Sequence, residues 1–341
     1  MAEFYLSLSD ADRAEVLELG RERIGRPAHL LEKDIWVVWT LGTLFKSSVG
    51  ADLTFKGGTS LSKAYKIIDR FSEDLDLTYD IRKLISDLTG GEEFLPTSRS
   101  EARKWTKAVR DRIPGWIAGT VQPIIQKALD QAELGAKLEI SGADNDKLLL
   151  HYPAVKQGTG YVAPIVTLEF GGRATGEPHA AMPVICDVDG HIAGVTFPTA
   201  TPVVMSVART FWEKATAAHV YCAQGRIRGE RYARHWHDLA AIMRSTQFEA
   251  AVKDRDVAQA VAEHKSHFFS EKDADGNAID YFAAIAGALQ IVPEGAAREA
   301  LATDYASMLE DQIMVGDALR FEDLMQTCAE VAARANAAAR P

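Results

Sequence analysis

The stretch "FKGGTSLSKAYKIIDRFSEDLDLTYD", residues 55–80, constrains the fold more than any other part of the chain. The segment "DLTF" favours a short strand, Gly57 and Gly58 favour a turn, and residues 60–69 favour a helix. "EDLDLTY" then alternates polar and apolar residues with period two, as a half-buried strand does. The predicted order is therefore strand, glycine turn, helix and strand.

Asp74 and Asp76 are the acids of the second predicted strand. Because residues i and i+2 of a strand point to one face, we expect both carboxylates together and Leu75 and Leu77 in the core. Two like charges this close repel each other, and a bound cation relieves the repulsion. Paired carboxylates are hard oxygen ligands that suit Mg²⁺ together with substrate phosphates. The pattern predicts a site for Mg²⁺ or Mn²⁺.

The glycine turn before the helix suits a phosphate. The free backbone N–H groups and the positive end of the helix dipole attract anions. Thr59 or Ser60 is expected to cap this helix and to offer a hydroxyl to the same phosphate. Together with Gly57 and Gly58, they form the predicted nucleotide-binding turn.

Three further residues of the stretch are candidate nucleotide ligands. Lys63, in the first turns of the predicted helix, and Arg70, at its end, are within reach of phosphates. For both, a solvated cation on the helix face is an equally good interpretation. Ser72 lies two residues before Asp74, on the approach to the carboxylates.

Other motifs are interpreted as structural. "DVD" at 187–189 precedes a glycine and favours a β-turn, and "KGGTSLSK" lacks the spacing of a P-loop. "EKDADGN" at 271–277 lacks the glutamate that closes a calcium loop, so we interpret it as a polar loop. His235 and His237 have no further ligand at zinc spacing, which favours packing.

The rest of the chain divides into a mixed part and a helical part. Residues 30–45 predict an amphipathic helix with Lys33 and Asp34 on its polar face. A long amphipathic stretch at 99–134 is interrupted at Pro114 and Pro123. Strand-like segments recur at "KLEI", "KLLLHY", "PIVTLEF", "PVICDV" and "AGVTF", and from residue 203 the sequence is Ala-rich and helical. We predict an α+β domain over 1–200 and an α-helical domain over 201–341.

Composition and charge indicate the cellular compartment and the location of positive charge. The net charge is -10, but residues 201–246 hold seven Arg and Lys against three acids, so positive charge is concentrated there. The three cysteines lie far apart, which indicates a reducing compartment. The N-terminus lacks a signal-peptide pattern, and no stretch is apolar enough to span a membrane. We expect a cytoplasmic protein without membrane contacts.

"KGGTSLSK" followed by "RFSEDLDL" resembles the AbiEii-type nucleotidyltransferase toxins of bacterial abortive-infection and toxin–antitoxin systems. "EKDIWV", "VTLEFGGR", "GEPH", "RTFWEKATAAH" and "RHWHDL" extend the resemblance over roughly residues 25–245. The resemblance implies the polymerase-β-like nucleotidyltransferase fold, a mixed sheet with flanking helices, here joined to the C-terminal helical domain. It also implies an NTP substrate, a divalent metal and a cognate antitoxin.

The resemblance also implies roles for individual residues. Its glycine–hydroxyl motif falls on Gly58 and Thr59, its metal carboxylates on Asp74 and Asp76, and its third carboxylate on Glu169, with "KLE" at 137–139 as the second choice. Many members have a lysine two residues before that acid, where this chain has Thr167. The helical domain would contribute Lys214, which neutralises the triphosphate, and Asp238, which is either catalytic or structural. Further acids of the family pattern are replaced here by Ala218 and Arg244.

The acceptor is predicted from the segment "GRIRGERYARHWHD". Its arginines, interleaved with Tyr232 and Trp236, suit phosphate contacts and stacking on unpaired bases. The predicted RNA-binding residues are Arg226, Arg228, Arg231 and Arg234. Because the family is associated with nucleotide addition to the 3′ end of tRNA, we expect an RNA acceptor. Nucleotidylation of a protein hydroxyl and a non-catalytic nucleotide- or RNA-binding module are the alternatives.

Overall fold

A computed structural model describes residues 2–72, 74–143, 145–158, 162–227, 231–310 and 318–339. The chain forms two compact units. The first comprises Met1–Ala64, Phe71–Phe94 and Lys107–Val204, and the second comprises Tyr65–Arg70, Leu95–Thr106 and Met205–Pro341. Sequence analysis places the boundary near residue 200; in the structure the chain passes into the second unit at Met205, and two earlier segments also belong to that unit.

The strands lie almost entirely in the first unit. They are β1 (Glu3–Phe4), β2 (Leu53–Lys56), β3 (Asp74–Tyr79), β4 (Lys137–Ser141), β5 (Lys147–His151), β6 (Ile165–Gly171), β7 (His179–Ala181), β8 (Val184–Ile185), β9 (Val195–Thr196), β10 (Thr199–Ala200) and β11 (Val203–Met205). Within the described residues, seven of them form one mixed sheet in the order β4-β5-β6-β3-β2-β11-β7. Its pairs β3–β6 and β2–β11 are parallel, while β2–β3, β4–β5 and β5–β6 are antiparallel. This confirms the predicted mixed sheet.

The helices that precede β4 are α1 (Asp10–Ile24), α2 (Ala28–Phe45), α3 (Gly57–Lys63), α4 (Ile81–Leu84), α5 (Ser86–Thr89), α6 (Arg99–Trp116) and α7 (Gln122–Gln131). Those that follow β11 are α8 (Val207–Ala223), α9 (Ala233–Arg244), α10 (Phe248–Lys253), α11 (Arg255–Phe268), α12 (Tyr281–Ala283), α13 (Gly295–Glu310) and α14 (Phe321–Ala338). This confirms the predicted α+β class with helical C-terminal residues. Among the described residues no helix is long and apolar enough to cross a membrane.

The helix predicted over 60–69 is shorter and begins earlier. It spans Gly57–Lys63 and ends there because Lys66, with φ of 54°, adopts the left-handed conformation that a right-handed helix cannot contain. Arg70 therefore lies in the segment after the helix and not on its end.

The two prolines do not interrupt the stretch 99–134 as predicted. Pro114 lies inside α6, and a π-helical turn, Ile117–Val121, continues the chain into α7. Pro123 occupies the first turn of α7, directly after the π-helical turn, a position in which proline is common. The helical path is therefore continuous from Arg99 to Gln131.

The polar residues at the start of α2 face the protein and not solvent, which corrects the predicted polar face. Lys33 and Asp34 are both 2% exposed. Lys33 Nζ donates to the Ala163 carbonyl at 3.1 Å, and Asp34 Oδ2 accepts from the Asp187 backbone N–H at 2.7 Å. Burial is tolerated because each charged group has a polar partner.

Candidate active site

Strand β3 presents two carboxylates on one face. Leu75 and Leu77 are fully buried, while Asp74 and Asp76 are half-buried on the opposite side of the strand. The alternation of period two therefore places the acids as predicted. On the neighbouring parallel strand β6, Glu169 lies in register with Asp76.

A row of four charged residues extends across four strands at this register, with two acids between two lysines. Lys56 of β2 pairs with Asp76, Asp76 with Glu169, and Glu169 with Lys147 of β5. Residues directly opposite in a sheet share a face, so the acids lie side by side with a lysine on each outer side. Two like charges directly opposite destabilise a sheet, and the flanking cations offset that repulsion.

Lys147 is a site residue that sequence analysis missed. Its ammonium donates to Glu169 Oε1. Burial alone would lower the pKa of Lys147, but the hydrogen bond to Glu169 and the charges of Glu169 and Asp74 raise it. The resemblance predicted a lysine at position 167, and here the next strand supplies the cation. Cross-strand register was the missing information, because the motif "KLLLHY" carries no sign of its partner.

The glycine turn touches the acid pair. Gly57 has φ of 77°, and a β-carbon added there would stand 2.0 Å from Asp76 Oδ2. Only glycine permits both this backbone conformation and the approach of the carboxylate. Gly57 and Gly58 begin α3 directly after β2, so β2 and α3 bring the predicted nucleotide-binding turn to β3.

The hydroxyls of α3 are engaged differently from the prediction. Thr59 is fully buried, and its Oγ1 donates to the Asp74 carbonyl at 2.5 Å and lies 2.8 Å from Ser72 Oγ. Ser60 Oγ donates to the Gly57 carbonyl at 2.9 Å. Neither hydroxyl caps the helix start, whose cap position is Lys56 without a side-chain hydrogen bond. Thr59 and Ser72 instead tie α3 to the start of β3.

Lys63 is an anchor and does not project into solvent. Its side chain is 5% exposed, and its Nζ lies 2.5 Å from Asp34 Oδ1 and 2.7 Å from Asp187 Oδ1. Asp187 also pairs with Arg26. The predicted contact of Lys63 with phosphate is therefore replaced in this structure by a buried ion-pair network that fixes the end of α3. The "DVD" segment lies in a turn, as predicted, and supplies one of these anchors.

The acid pair fits a divalent cation better than the three predicted ligands together. Asp74 and Asp76 share a face and are hard oxygen donors. Glu169, by contrast, is engaged by Lys147. Across the described ranges no group of three or more His, Cys, Asp and Glu side chains is arranged to hold a metal ion. Glu139, the second choice for the third acid, lies on β4 and pairs with His151.

The second unit contains its own buried charge cluster around Asp238, which is 0% exposed. Arg70 binds it with two hydrogen bonds, Nε to Oδ1 at 2.8 Å and Nη2 to Oδ2 at 2.9 Å, and Lys214 Nζ lies 2.9 Å from Oδ2. Burial alone would raise the pKa of Asp238, but the charges of Arg70 and Lys214 hold it well below its usual range. Because this carboxylate is ionised, His237, whose Nδ1 lies 3.2 Å from Oδ1, donates its Nδ1–H.

This cluster changes the interpretation of Arg70. Its guanidinium is 3% exposed and grips Asp238 in a bidentate pair, so it is neither a solvated cation nor displayed for phosphate. Lys214 is 12% exposed and retains the ammonium that the resemblance assigns to the triphosphate. Asp238 pairs with both cations, which fits the structural alternative of sequence analysis, and its catalytic role stays a prediction.

The predicted RNA-binding segment is partly displayed. Arg226 and Arg231 are exposed and Arg234 is half-buried, whereas Arg228 lies outside the described residues. Asp304 of α13 accepts hydrogen bonds from the backbone N–H groups of Arg231 and Ala233 at 2.6 Å each. This carboxylate from a distant helix fixes the start of α9.

One aromatic residue of that segment is misassigned by sequence analysis. Trp236 is fully buried and its Nε1 donates to the Ile291 carbonyl at 2.5 Å, so the predicted stacking of Trp236 on a base is wrong. Tyr232 is half-buried and packs edge-on against Tyr221, with ring centroids 4.8 Å apart.

The mixed sheet, its paired acids and the glycine turn that begins a short helix together form the candidate active site. The family model described as "Nucleotidyl transferase AbiEii toxin, Type IV TA system" matches residues 39–327. The chain therefore belongs to the AbiEii nucleotidyltransferase toxin family and is a nucleotidyltransferase. No curated protein matches. Among solved structures, MenT4, a nucleotidyltransferase toxin from Mycobacterium tuberculosis H37Rv, aligns over 98% of this chain and 100% of its own, with 16% identity and a TM-score of 0.41.

Proposed function

We propose that the protein transfers a nucleotidyl group from an NTP to a hydroxyl of an RNA acceptor, such as the 3′ end of tRNA, with Mg²⁺ or Mn²⁺. The observation that carries the proposal is the shared face of Asp74 and Asp76, with Gly57 against Asp76 and Glu169 in register beside it. In the reaction, the acceptor oxygen bonds to the α-phosphorus and the bond from that phosphorus to the bridging oxygen of the β-phosphate breaks. Pyrophosphate leaves, and the hydroxyl proton passes to solvent.

The residues of the first unit have separate tasks in this proposal. Asp74 and Asp76 would hold the divalent cation, which when bound neutralises phosphate charge and acidifies the acceptor hydroxyl. Lys147 pairs with Glu169, and this carboxylate becomes available as a further ligand when the lysine releases it. Thr59 and Ser72 hold the glycine turn against β3, so that the backbone at Gly57 and Gly58 can receive phosphate oxygens.

The test of the activity is incubation of the protein with total RNA and each labelled NTP in turn. We expect one NTP to label a discrete RNA species in the presence of Mg²⁺, and Asp76→Asn to abolish the label while leaving the melting temperature in EDTA close to that of the wild type. Asp111→Asn, which changes an exposed acid on α6, is the matched control and should label normally. Label that enters protein and not RNA would show that the acceptor is a protein. Label that survives Asp76→Asn would contradict the assignment of Asp76 to the active site.

An RNA acceptor is supported by the exposed arginines of the second unit. Arg226 and Arg231 are both displayed. We expect Arg226→Glu with Arg231→Glu to weaken RNA binding and to reduce its dependence on salt, while NTP binding stays unchanged. Unchanged RNA affinity would remove this segment from the acceptor site. The assignment of Lys214 to the triphosphate remains a prediction from the resemblance, to be tested as loss of transfer in Lys214→Ala.

A further inference from the structure

The second unit contains a pocket of about 460 Å³ that no predicted site residue explains. It lies between the segment that follows α3, the C-terminal half of α9 with the loop after it, and residues 318–319. Its volume is within the range of about 300–1,000 Å³ typical of small-ligand sites. Every residue that lines it belongs to the second unit.

The floor of the pocket is one face of α9. His237, Ala241 and Arg244 follow each other at helical spacings of four and three, so their side chains lie along one stripe. His237 and Ala241 are buried, and Arg244 is exposed at the mouth. Because Nδ1 of His237 donates to Asp238, Nε2 is the ring nitrogen left to meet a ligand.

The mouth carries polar groups that lack acceptors. Among the described residues Arg244 has no carboxylate partner, whereas Arg209, Arg298 and Arg334 of the same unit each have one. The side chains of Thr246 and Gln247, on the loop beside Arg244, also have no hydrogen-bond partner within the described parts of the chain. Several donors therefore converge on one opening.

The charge balance of the pocket favours an anion. Among the described residues that line the pocket, two are cations, Lys66 and Arg244, and one is a carboxylate, Asp69. Near the floor, Asp238 is shared by two cations, Arg70 and Lys214, which leaves a net positive charge in a buried setting. Buried charges are weakly screened by salt, so this positive charge favours an anion beside His237, the neighbour of Asp238 that lines the pocket.

The remaining lining suits the rest of a nucleotide. Tyr65, Ile67 and Leu319 give the pocket an aromatic ring and two aliphatic side chains beside the cationic mouth. The planar guanidinium of Arg244 can meet two phosphate oxygens at once. We propose that this pocket binds a phosphate-bearing nucleotide unit of the RNA acceptor, with Arg244 as the phosphate ligand. The choice of RNA as the source rests on the proposed function.

The experiment measures binding of a fluorescently labelled single-stranded RNA of mixed sequence to the full chain that carries Asp76→Asn, without NTP. Arg244→Ala is expected to weaken binding about tenfold and to lower the salt slope by about one counterion. Arg320→Ala, which removes an 85% exposed arginine of the same unit outside the pocket, is the matched control and should change neither value. Arg244→Lys should recover only part of the affinity, because a point charge cannot replace the fork.

Competition with AMP, ribose 5-phosphate and inorganic phosphate distinguishes the sources of the ligand. Displacement of RNA by AMP in the wild type but not in Arg244→Ala supports a pocket that recognises the nucleotide unit. If AMP binds tightly and this binding depends on Arg244, while Arg244→Ala leaves the RNA affinity unchanged, the pocket binds a free nucleotide and not the RNA acceptor. Equal RNA and AMP affinities in wild type, Arg244→Ala and Arg320→Ala overturn the pocket altogether. Loss of NTP-dependent labelling with intact Arg244-dependent RNA binding would refute the proposed function alone.

Discussion

The carboxylate of Asp76 occupies the space that a β-carbon on Gly57 would need, with Oδ2 2.0 Å from that position. The turn that begins α3 and the acid pair of β3 are therefore one packed unit. Glycine is therefore needed at position 57 for two reasons: it permits the positive φ, and it leaves room for the carboxylate of Asp76.

We predict that Gly57→Ala abolishes nucleotide transfer. The left-handed backbone alone costs about 1–2 kcal/mol for a residue with a β-carbon, and the contact with Asp76 adds displacement of the carboxylate. Gly90→Ala is the matched control, because Gly90 also has a positive φ, 64°, but no atom within 4 Å of the added carbon. Transfer assays and thermal melts should show similar backbone destabilisation in both variants and lost activity only at Gly57. Retained transfer in Gly57→Ala would contradict the proposed contact.

Divalent cations should stabilise the wild type through Asp74 and Asp76. At about ten times the dissociation constant, a ligand that binds only the folded state adds roughly 1.4 kcal/mol, which is measurable as an upward shift of the melting temperature. Asp74→Ala should eliminate the Mg²⁺ shift, and Asp111→Asn should retain it. Equal shifts in wild type and Asp74→Ala would refute the two-carboxylate site.

Replacement of Lys147 by Gln should make the protein more dependent on metal. Lys147 is the cation next to Glu169, and its loss leaves that acid opposite Asp76 without this counter-charge. We expect a lower melting temperature in EDTA and a larger Mg²⁺-induced increase than in the wild type. Lys107→Gln, at an exposed helix ion pair, should leave both values unchanged. An unaltered Mg²⁺-induced shift would show that the cation does not bind beside Glu169 and Asp76, where Lys147 lies.

Lys63→Met should destabilise the fold strongly. Removing one partner of a buried ion pair leaves uncompensated charge and costs about 3–5 kcal/mol. Asp34 would be that group, because its side chain is 3% exposed. The unfolding free energy is measured by urea titration. Lys253→Met is the control: the side chain of Lys253 is 72% exposed in its ion pair with Glu249, so we expect its loss to cost less than about 1 kcal/mol. Similar unfolding free energies for the two variants would mean that Lys63 is not an anchor.

Asp238 should make stability depend on acid pH. Its folded-state pKa is lowered, so its contribution is present above the unfolded value and is lost as pH falls from about 5 through the folded value. Asp238→Asn removes the titrating group and leaves Arg70 and Lys214 without their counter-charge. The difference in unfolding free energy between wild type and Asp238→Asn should therefore be largest near neutral pH and shrink on acidification. A difference that is constant with pH would show that the carboxylate is not ionised in the folded protein.

Sequence alone predicted those parts of the site that depend on local pattern. Alternation along β3 placed Asp74 and Asp76 on one face and Leu75 in the core, because a strand repeats every two residues whatever it packs against. The glycine turn before α3 was likewise recognisable from its residues.

Residues whose partners lie far along the chain could not be assigned in this way. Lys63 was interpreted as either a phosphate ligand or a solvated cation, and neither interpretation could foresee its pairing with Asp187, which lies 124 residues further along the chain. Lys147 was missed because only the register of β5 with β6 places it opposite Glu169. Trp236 was predicted to stack on RNA because a helical aromatic gives no local sign of which face is buried.

The anchoring network of Lys63 sets an order of events during synthesis. The lysine belongs to the first fifth of the chain, but Asp187 is made only after the ribosome has added more than a hundred further residues. Strand β6, which places Glu169 beside Asp76, is also made after the lysine, near the middle of the chain. A nascent or truncated chain that stops before residue 187 lacks this anchor of α3, so we expect the glycine turn to reach its final packing only after about half of the chain has been made.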